Sequence, residues 1–444
     1  MICEGIITHL HFKYYSFIIK KQRNLQEGSG VITQKMKAIG IISEYNPYHT
    51  GHAFLLEKAG KITGFSHAVS VMSGNFSQQG FPMVSDKYLR AKAAAAAGIG
   101  LTFELPTLYA TGSARDFAEG AISLLTRLSF VDTLCFGVED ADKDAFSEIA
   151  DCITAEPPLY QETLRNCQKD GLSYPAAREE ALAKVLGEEV RGIVSKPNNI
   201  LGLEYMAAIK RQRSPLSVLL IPRSTDYHSG TYASATGIRN HLISLRENEQ
   251  EDTAGAYLRE VLPPEAAKIL GPEAGHFLLT PSCLTPYLAA QLLLLPEELP
   301  DEQLPLGMTR EMLHRLKKAT LPLDYEVLVD SLKRRNETRG RITRSLLHLM
   351  LGIREADRVE PAKAPSLYLN LLAARRESTS LLREIPEDNG LTIITKKADY
   401  DPEDPVTARM WEMDKRASDL YHQLIFDSFG VTLPPEPKRT PVIL

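Results

Sequence analysis

The sequence lacks the features of a disulfide or zinc scaffold. Its five cysteines, an odd number, are scattered and show no C-x-x-C spacing, which is typical of a protein from a reducing compartment. No stretch reaches the roughly 18 to 20 consecutive apolar residues that span a membrane, and the alanine-rich run 93–101 is far shorter. We therefore expect a cytoplasmic protein that does not cross a bilayer.

The chain also lacks an excess of positive charge. It has 51 Lys and Arg residues against 56 Asp and Glu residues, a net charge of -5, so it has no global attraction to polyanions. Its 444 residues, 43% of them hydrophobic, are typical of a globular protein with two or three domains. Any nucleic-acid-binding function must therefore rest on a local basic patch.

The sequence pattern divides the chain into three parts. Residues 1–35 carry no regular pattern, and we interpret them as a disordered extension or the product of an upstream start. In residues 36–245 short apolar runs alternate with amphipathic segments, which predicts an α/β fold with a Rossmann-like, doubly wound parallel sheet. The predicted strands are 38–42, 68–72, 101–105, 133–136 and 217–221. Residues 246–444 predict a mostly α-helical domain.

The strongest motif, residues 40–52, reads G-I-I-S-E-Y-N-P-Y-H-T-G-H. It combines a buried strand, a tight turn and a helix start. Free N–H groups and the positive dipole at a helix amino end attract phosphate, and Gly51 has no side chain to obstruct a ligand. His49 and His52, three residues apart, lie on one face of the first turn. As cations or as hydrogen-bond donors, they could stabilise charge that develops on an α-phosphate during in-line displacement.

A bare H-x-x-H pair is also typical of surface residues or of part of a metal site. No H-E-x-x-H pattern and no nearby third ligand supports zinc, so we predict no protein-held metal. The position after the first strand, with Asn46, Pro47 and Gly51 shaping the turn, favours a nucleotide site. At this point the sequence resembles the H-x-G-H nucleotidyltransferase superfamily, which includes adenylyltransferases and class I aminoacyl-tRNA synthetases.

A wider set of segments narrows this resemblance. Together they resemble the bacterial tRNA(Met) cytidine acetate ligase family, and the similarity extends from Met36 across most of the chain. The segments are 39–52, 73–80, Asp86, Lys87, Arg90, 103–106, 136–137, 196–202 and 339–352.

The resemblance implies a two-step reaction. ATP and acetate would give acetyl-adenylate and pyrophosphate, and the acetyl group would then pass to the exocyclic amine of the wobble cytidine in elongator tRNA(Met). ATP is then a substrate, Mg²⁺ is its expected companion, and His49 and His52 are the catalytic pair. The implied ATP contacts are Ile42, Glu44, Tyr45, Asn46, Pro47, Gly51, Gly137, Asn198, Asn199 and Arg223.

Three of these contacts also have a reason in the sequence itself. Gly137 ends the fourth predicted strand, where a side chain would block a nucleotide, although glycine is equally common in an ordinary turn. Asn198 or Asn199 could hydrogen-bond adenine or ribose, whereas one of the two could instead cap a helix.

Residues 234–239, S-A-T-G-I-R, resemble the second phosphate motif of the same superfamily. The hydroxyls of Ser234 and Thr236 and the guanidinium of Arg239 lie beside a predicted helix start, which suits the β- and γ-phosphates. A plain capped helix with a solvated arginine is the alternative.

A local basic patch lies within residues 333–344. Its Arg335, Arg339 and Arg341 predict contacts with tRNA phosphates, although a charge run is also typical of a solvated helix face. Lys87 and Arg90, one helical turn apart, could face the phosphates, the tRNA or water. The loop 77–82 reads S-Q-Q-G-F-P, whereas the family usually has V-Q-R-G-E-P. Neutral Gln79 and Phe81 thus replace a charge pair, which bears on acetate affinity or tRNA handling.

Two other functions fit parts of this pattern. One is an adenylyl- or cytidylyltransferase of the same fold that acts on a small cofactor precursor and needs no tRNA-binding surface. The other is a non-catalytic RNA-binding protein that keeps a degenerate nucleotide fold, which the intact His49, Gly51 and His52 disfavour. ATP–pyrophosphate exchange with and without acetate discriminates among the three.

Overall fold

The computed structural model describes residues 37–223, 234–248, 253–273, 278–360, 364, 367–386 and 390–444. The prediction for residues 1–35 lies outside these ranges. Within them, no helix combines the length and the apolar character that crossing a membrane requires.

The first half of the chain alternates strands and helices, as the apolar pattern predicts. All five predicted strands are present, with ends that shift by at most two residues. The elements are β1 (Ala38–Ser43), α1 (Thr50–Thr63), β2 (His67–Ser73), α2 (Lys87–Ala96), β3 (Leu101–Leu105), α3 (Thr107–Ala110), α4 (Ala114–Thr126), β4 (Val131–Val138), α5 (Lys143–Ala155), α6 (Pro158–Lys169), α7 (Tyr174–Leu186), α8 (Arg191–Val194), α9 (Pro197–Arg211) and β5 (Ser217–Pro222).

The second half is mostly helical but returns to the sheet near its end. Its elements are α10 (Ala235–Glu247), α11 (Ala254–Val261), α12 (Pro264–Leu270), α13 (Thr285–Leu294), α14 (Arg310–Leu316), α15 (Tyr325–Leu332), α16 (Arg339–Leu351), β6 (Leu367–Ala374), β7 (Leu391–Ile394), α17 (Pro405–Phe429) and β8 (Val442–Ile443).

The described strands form one sheet in the order β5-β4-β1-β2-β3-β6-β7, with β8 paired to β6. Strands β1 to β5 pair in parallel, whereas β6 runs antiparallel to β3. Apolar clusters cover both faces: in β1, Ala38 and Ile42 belong to one cluster, and Ile39 and Ile41 belong to the other. This arrangement confirms the predicted doubly wound α/β class.

The parts on either side of residue 245 share this sheet. Met36–Leu444 is one compact unit, and β6, β7 and β8 extend the sheet beyond β3. These three strands are absent from the sequence prediction, which assigned a mostly α-helical domain to residues 246–444. The apolar run of β6 is buried at every residue, and such a run has no period that separates a strand from a buried helix.

Candidate active site

The loop after β1 leads directly into α1, and the two histidines form the cap of that helix. His49 is the N-cap residue, and its Nδ1 accepts a hydrogen bond from the Gly51 N–H at 3.0 Å. The Nδ1 atom of His52 in turn accepts from the backbone N–H of His49 at 3.2 Å. The two rings lie 3.9 Å apart between centroids. The local backbone therefore requires an acceptor at both positions, as in a capping box.

Burial keeps both rings neutral, and the cap determines which nitrogen of each ring carries the proton. Burial, together with the positive charges of Arg223 and Arg239, lowers the pKa of His49 to about 3. Burial and the neighbouring His49 lower the pKa of His52 well below its ordinary value. Because each Nδ1 is an acceptor, the proton of each neutral ring is on Nε2. The pair therefore offers two neutral N–H donors rather than two cations.

The turn before the histidines is held from two sides. Tyr45 has a positive φ of 45°, and the Asn46–Pro47 peptide bond is cis. The Asn46 side-chain oxygen accepts from the Val84 N–H at 2.9 Å, and Arg239 Nη1 donates to the Asn46 carbonyl at 3.0 Å. The loop after β2 and the start of α10 thus fix the shape of this turn.

The start of α10 faces the same space. Ser234 is its N-cap residue and accepts from the Gly237 N–H at 3.1 Å. Arg239 Nη2 donates to the Thr236 hydroxyl at 3.0 Å. Two helix amino ends, those of α1 and α10, are therefore joined through Arg239, and each is suited to bind anionic oxygens.

A cavity of about 500 Å³ lies at the carboxyl ends of β1, β4 and β5, where ligands bind in sheets of this type. The predicted residues that line it are Ile42, Glu44, Tyr45, Asn46, His49, Gly51, His52, Gly137, Asn198, Arg223, Ser234 and Thr236. Pro47, Asn199 and Arg239 are not among its lining residues. The structure thus brings together most of the predicted site.

The two asparagines have different environments. Asn198 lines the cavity, donates to Glu139 at 2.6 Å and accepts from Arg223 Nη1 at 3.0 Å. Asn199 is fully buried; its amide donates to Asp140 at 2.8 Å, and its oxygen accepts from the Glu139 N–H at 2.9 Å. These bonds occupy the Asn199 side chain. The structure therefore corrects the prediction that it contacts ATP: Asn199 holds the loop after β4 in place.

Glu44 faces a loop that the sequence singled out for its departures. The Gln78 N–H donates to Glu44 Oε1 at 2.7 Å, and the Gln78 side chain donates to the Gly112 carbonyl at 3.1 Å. Burial raises the pKa of the Glu44 carboxyl, although the Gln78 N–H and the charges of Arg239 and Arg90 act in the opposite direction.

Lys87 and Arg90 are buried, which corrects their prediction as tRNA contacts. Lys87 is 1% exposed and Arg90 is fully buried. Lys87 Nζ donates to both Glu104 oxygens at 2.8 Å and lies 3.0 Å from Glu436. In the sequence, a basic residue near a phosphate motif suggests an exposed side chain that binds phosphate. In the structure, residues distant in the sequence surround the Lys87 ammonium group instead.

Arg90 acts as a brace beneath the site. Its Nε donates to the Ser85 carbonyl at 3.0 Å, and its two terminal nitrogens donate to the carbonyls of Glu44, Ser73 and Gly74. The guanidinium thus joins the loops that follow β1 and β2. Its planar set of donors suits this task, which a lysine could not perform.

The three predicted arginines of the basic patch differ in their surroundings. Arg335 is exposed. Arg339 forms ion pairs with Glu326 and Asp330. Arg341 donates through Nε to the Gly307 carbonyl at 2.8 Å and lines a second cavity. Of the three, only Arg341 lines a cavity and forms no ion pair with the described residues.

The cavity also has an apolar wall that the sequence pattern did not reveal. Phe117, Phe136, Leu201 and Tyr205 line it, and the rings of Phe136 and Tyr205 meet edge to face at 5.3 Å. Flat apolar surface of this kind suits an adenine ring. Leu201 and Tyr205 are four residues apart on α9, a spacing that in sequence indicates only a helix face packed against a core.

Gly137 lines this cavity, and the packing of the protein itself does not require a glycine at this position. A Cβ there would meet its nearest neighbour, Arg223 Cγ, at 3.5 Å, an ordinary contact. We expect Gly137→Ala to fold normally but to weaken ATP binding about tenfold or more, because overpacking a fitted site typically costs about 1–3 kcal/mol.

Titration of the wild type and of Gly137→Ala with ATP measures this effect, and thermal unfolding checks that the variant is folded. Gly192→Ala is the matched control, since a Cβ at Gly192 meets nothing within 4 Å. Unchanged ATP affinity in Gly137→Ala would place the nucleotide elsewhere.

These features define a nucleotidyltransferase-type protein: parallel strands, a helix that begins with H-x-G-H, and a nucleotide-sized cavity at the strand ends. A family profile described as HIGH Nucleotidyl Transferase matches residues 36–431. The chain belongs to this family and, within it, to the family of the tRNA(Met) cytidine acetate ligases, as the following relatives show.

The tRNA(Met) cytidine acetate ligase of Acetivibrio thermocellus is 34% identical over 400 residues, which cover 87% of this chain and 94% of the relative. That of Caldanaerobacter subterraneus subsp. tengcongensis is 35% identical over 406 residues, 89% of this chain and 97% of the relative. A crystal structure of Thermotoga maritima TmcAL bound with alpha-thio ATP matches with a TM-score of 0.81 and 25% identity, covering 92% of this chain and all of that one.

Proposed function

We propose that this protein is an ATP-dependent ligase that activates acetate as acetyl-adenylate and transfers the acetyl group to the wobble cytidine of elongator tRNA(Met), forming N4-acetylcytidine. The observation that carries the proposal is the pair of neutral imidazole donors, His49 and His52, at a helix amino end in a nucleotide-sized cavity. The names of the relatives support the choice of acetate and tRNA(Met).

The first step needs donors where charge develops on the α-phosphate. An acetate oxygen attacks the α-phosphorus, and the bond to the leaving pyrophosphate breaks. The Nε2–H groups of His49 and His52 would stabilise the α-phosphate oxygens, and the amino end of α10 with Ser234 and Thr236 would hold the β- and γ-phosphates. Buried donors that need no reorganisation are more effective than water in this role.

The remaining cavity residues would bind the nucleoside. The adenine ring would lie against the wall that contains Phe136 and Tyr205. Asn198 and Arg223, hydrogen-bonded to each other at 3.0 Å, would contact the ribose or the base. In the second step the cytidine amine attacks the acetyl carbonyl carbon, AMP leaves, and the amine loses a proton.

Mg²⁺ would enter with ATP. Among the described residues, no group of three or more His, Cys, Asp or Glu residues could hold a metal ion. Mg²⁺ often keeps most of its ligands as water and substrate phosphates, so the phosphates and the Glu44 carboxylate could suffice. The mostly helical part after residue 245 would bind tRNA, and we infer a cytoplasmic location from this substrate.

The test of this function is ATP–pyrophosphate exchange with and without acetate, followed by acetylation of tRNA(Met) transcripts. We expect exchange to require acetate and to proceed without tRNA. Exchange that depends on a phosphorylated small molecule instead of acetate would support a cofactor-precursor transferase, and no exchange under any condition would overturn the proposal.

A further inference from the structure

A second cavity of about 630 Å³ lies beside the nucleotide cavity. Gln78 and Gln79 line both cavities, so the loop after β2 forms the wall between them. The second cavity is bounded by the starts of α4, α7 and α16, and its volume falls within the range of sites that bind small molecules or single nucleotides.

The acidic residues around this second cavity form ion pairs with arginines of the protein. Its acidic residues are already paired: Asp116 and Glu355 with Arg358 at 3.4 and 3.3 Å, and Glu204 with Arg178 at 2.6 Å. Glu179 lies 3.5 Å from Arg191. The acidic side of the cavity is therefore occupied by ion pairs within the protein.

Two arginines of α16 form no ion pair with the described residues, although the charge of Asp116 acts on Arg344 from a longer distance. Arg344 Nη1 contacts the Gln78 carbonyl at 3.5 Å, and burial lowers the pKa of Arg344 to about 10. Arg341 Nε donates a hydrogen bond to the Gly307 carbonyl at 2.8 Å. Half-buried guanidinium groups that no carboxylate contacts favour an anionic ligand.

The rim of the cavity adds an aromatic surface. Tyr174, the first residue of α7, is 49% exposed, although Ala177 and Ala181 of the same helix are buried. An exposed aromatic ring beside arginines is typical of proteins that bind single-stranded RNA, whose unstacked bases lie on aromatic rings while phosphates pair with arginine.

We propose that this second cavity receives the acceptor nucleotide of the tRNA, in an unstacked, single-stranded conformation. Arg341 and Arg344 bind its flanking phosphates, Tyr174 stacks with a base at the rim, and the base to be modified points towards Gln78 and Gln79. This proposal rests on the proposed function, because an acceptor must lie beside the activated acyl group. The new element is the place at which the acceptor nucleotide enters the protein.

The wall itself suits this role. Gln78 is fixed through Glu44 and Gly112, whereas the side chain of Gln79 is exposed. The Gln79 backbone carbonyl accepts from the Thr343 hydroxyl at 2.7 Å, so α16 and the wall are joined. An amide offers both a donor and an acceptor, which matches the edge of a cytosine.

The test compares Arg344→Gln, Tyr174→Ala and the double variant Arg341→Gln/Arg344→Gln with the wild type. We expect Tyr174→Ala to weaken tRNA binding about 30-fold, the middle of the usual range for losing one stacked base. In the double variant, the slope of log affinity against log salt should fall by about 1.4 to 1.8, because two phosphate contacts are lost. In both, the KM for tRNA in acetylation should rise more than kcat falls.

Arg383→Gln is the control, since it removes one positive charge from an exposed residue next to Glu384, which contacts Lys37 at the opposite end of the sheet. Acetate-dependent pyrophosphate exchange is measured in the same variants and separates the two proposals. Absent exchange in the wild type would overturn the proposed function.

Wild-type exchange with normal tRNA binding and an unchanged salt slope in the Arg341 and Arg344 variants would overturn only the second-cavity proposal. Equal loss of exchange and acetylation would also overturn it, since the arginines would then support the fold or the nucleotide cavity. Binding of an acidic peptide with tRNA binding unaffected would assign the cavity to a protein partner instead.

Discussion

The His49→Asn variant should fold as the wild type does and lose acetate-dependent pyrophosphate exchange by roughly 100- to 1000-fold, the usual cost of removing one transition-state donor. Asparagine is a good N-cap residue, so its side-chain oxygen can still accept the Gly51 N–H. What it lacks is an N–H at the position of Nε2. The substitution therefore removes the donor and keeps the cap.

His49→Ala removes both the donor and the cap. It should lose exchange to a similar extent and, in addition, about 1 kcal/mol of stability. His314 is an exposed histidine on α14, so His314→Asn should leave both pyrophosphate exchange and stability unchanged. If His49→Asn exchanged pyrophosphate at near the wild-type rate, the imidazole would act in capping α1 and not in catalysis.

The second large effect is expected at Lys87. Lys87→Met would leave the buried carboxylates of Glu104 and Glu436 without their shared cation, which typically costs about 3–5 kcal/mol in unfolding free energy. Urea unfolding at pH 7.5 measures this loss. Lys184→Met, an exposed lysine on α7, is the control and should change stability by less than about 1 kcal/mol.

The pH dependence of Lys87→Met gives a further check. In the wild type, burial favours neutral Glu436, but Lys87 and Lys397 outweigh it and lower the pKa of that carboxyl. Its contribution to stability is therefore present above its ordinary pKa and lost only as the pH falls into the acid range.

Without Lys87, unpaired burial would instead raise the carboxyl pKa values, so the variant should lose stability as the pH rises. The deficit relative to the wild type should shrink as the pH falls towards 5. A deficit that stays constant with pH would indicate that lost packing, and not lost charge, causes it.

The contrast between the two histidines and Lys87 shows what the sequence could reveal. His49 and His52 belong to one local segment, so their spacing alone places them on one helix turn. The strands β1 to β5 are likewise short apolar runs bounded by turns. In each case the signal that reveals the structure lies within a few residues, even though the parallel strands themselves pair across longer stretches of the chain.

The missed features depend on partners distant in the chain. Lys87 carries the same charge as a surface lysine, and only its contacts with Glu104 and Glu436 bury it. Asn199 could contact a ligand or the protein, and the β4 loop decides between them. The strand β6 exists because it pairs with β3, which a local apolar run such as Leu367–Ala374 does not indicate.

The position of β6 has a consequence for how the chain is made. Glu104 of β3 pairs with Asn370 of β6, 266 residues later. At about 5–20 residues per second, a ribosome needs roughly 13 to 53 s to synthesise that interval. Throughout it, the outer edge of an apolar strand has no partner and invites association with other nascent chains. We therefore expect the nascent chain to need protection of this strand edge during translation, and the segment 36–245 made alone to keep the edge open.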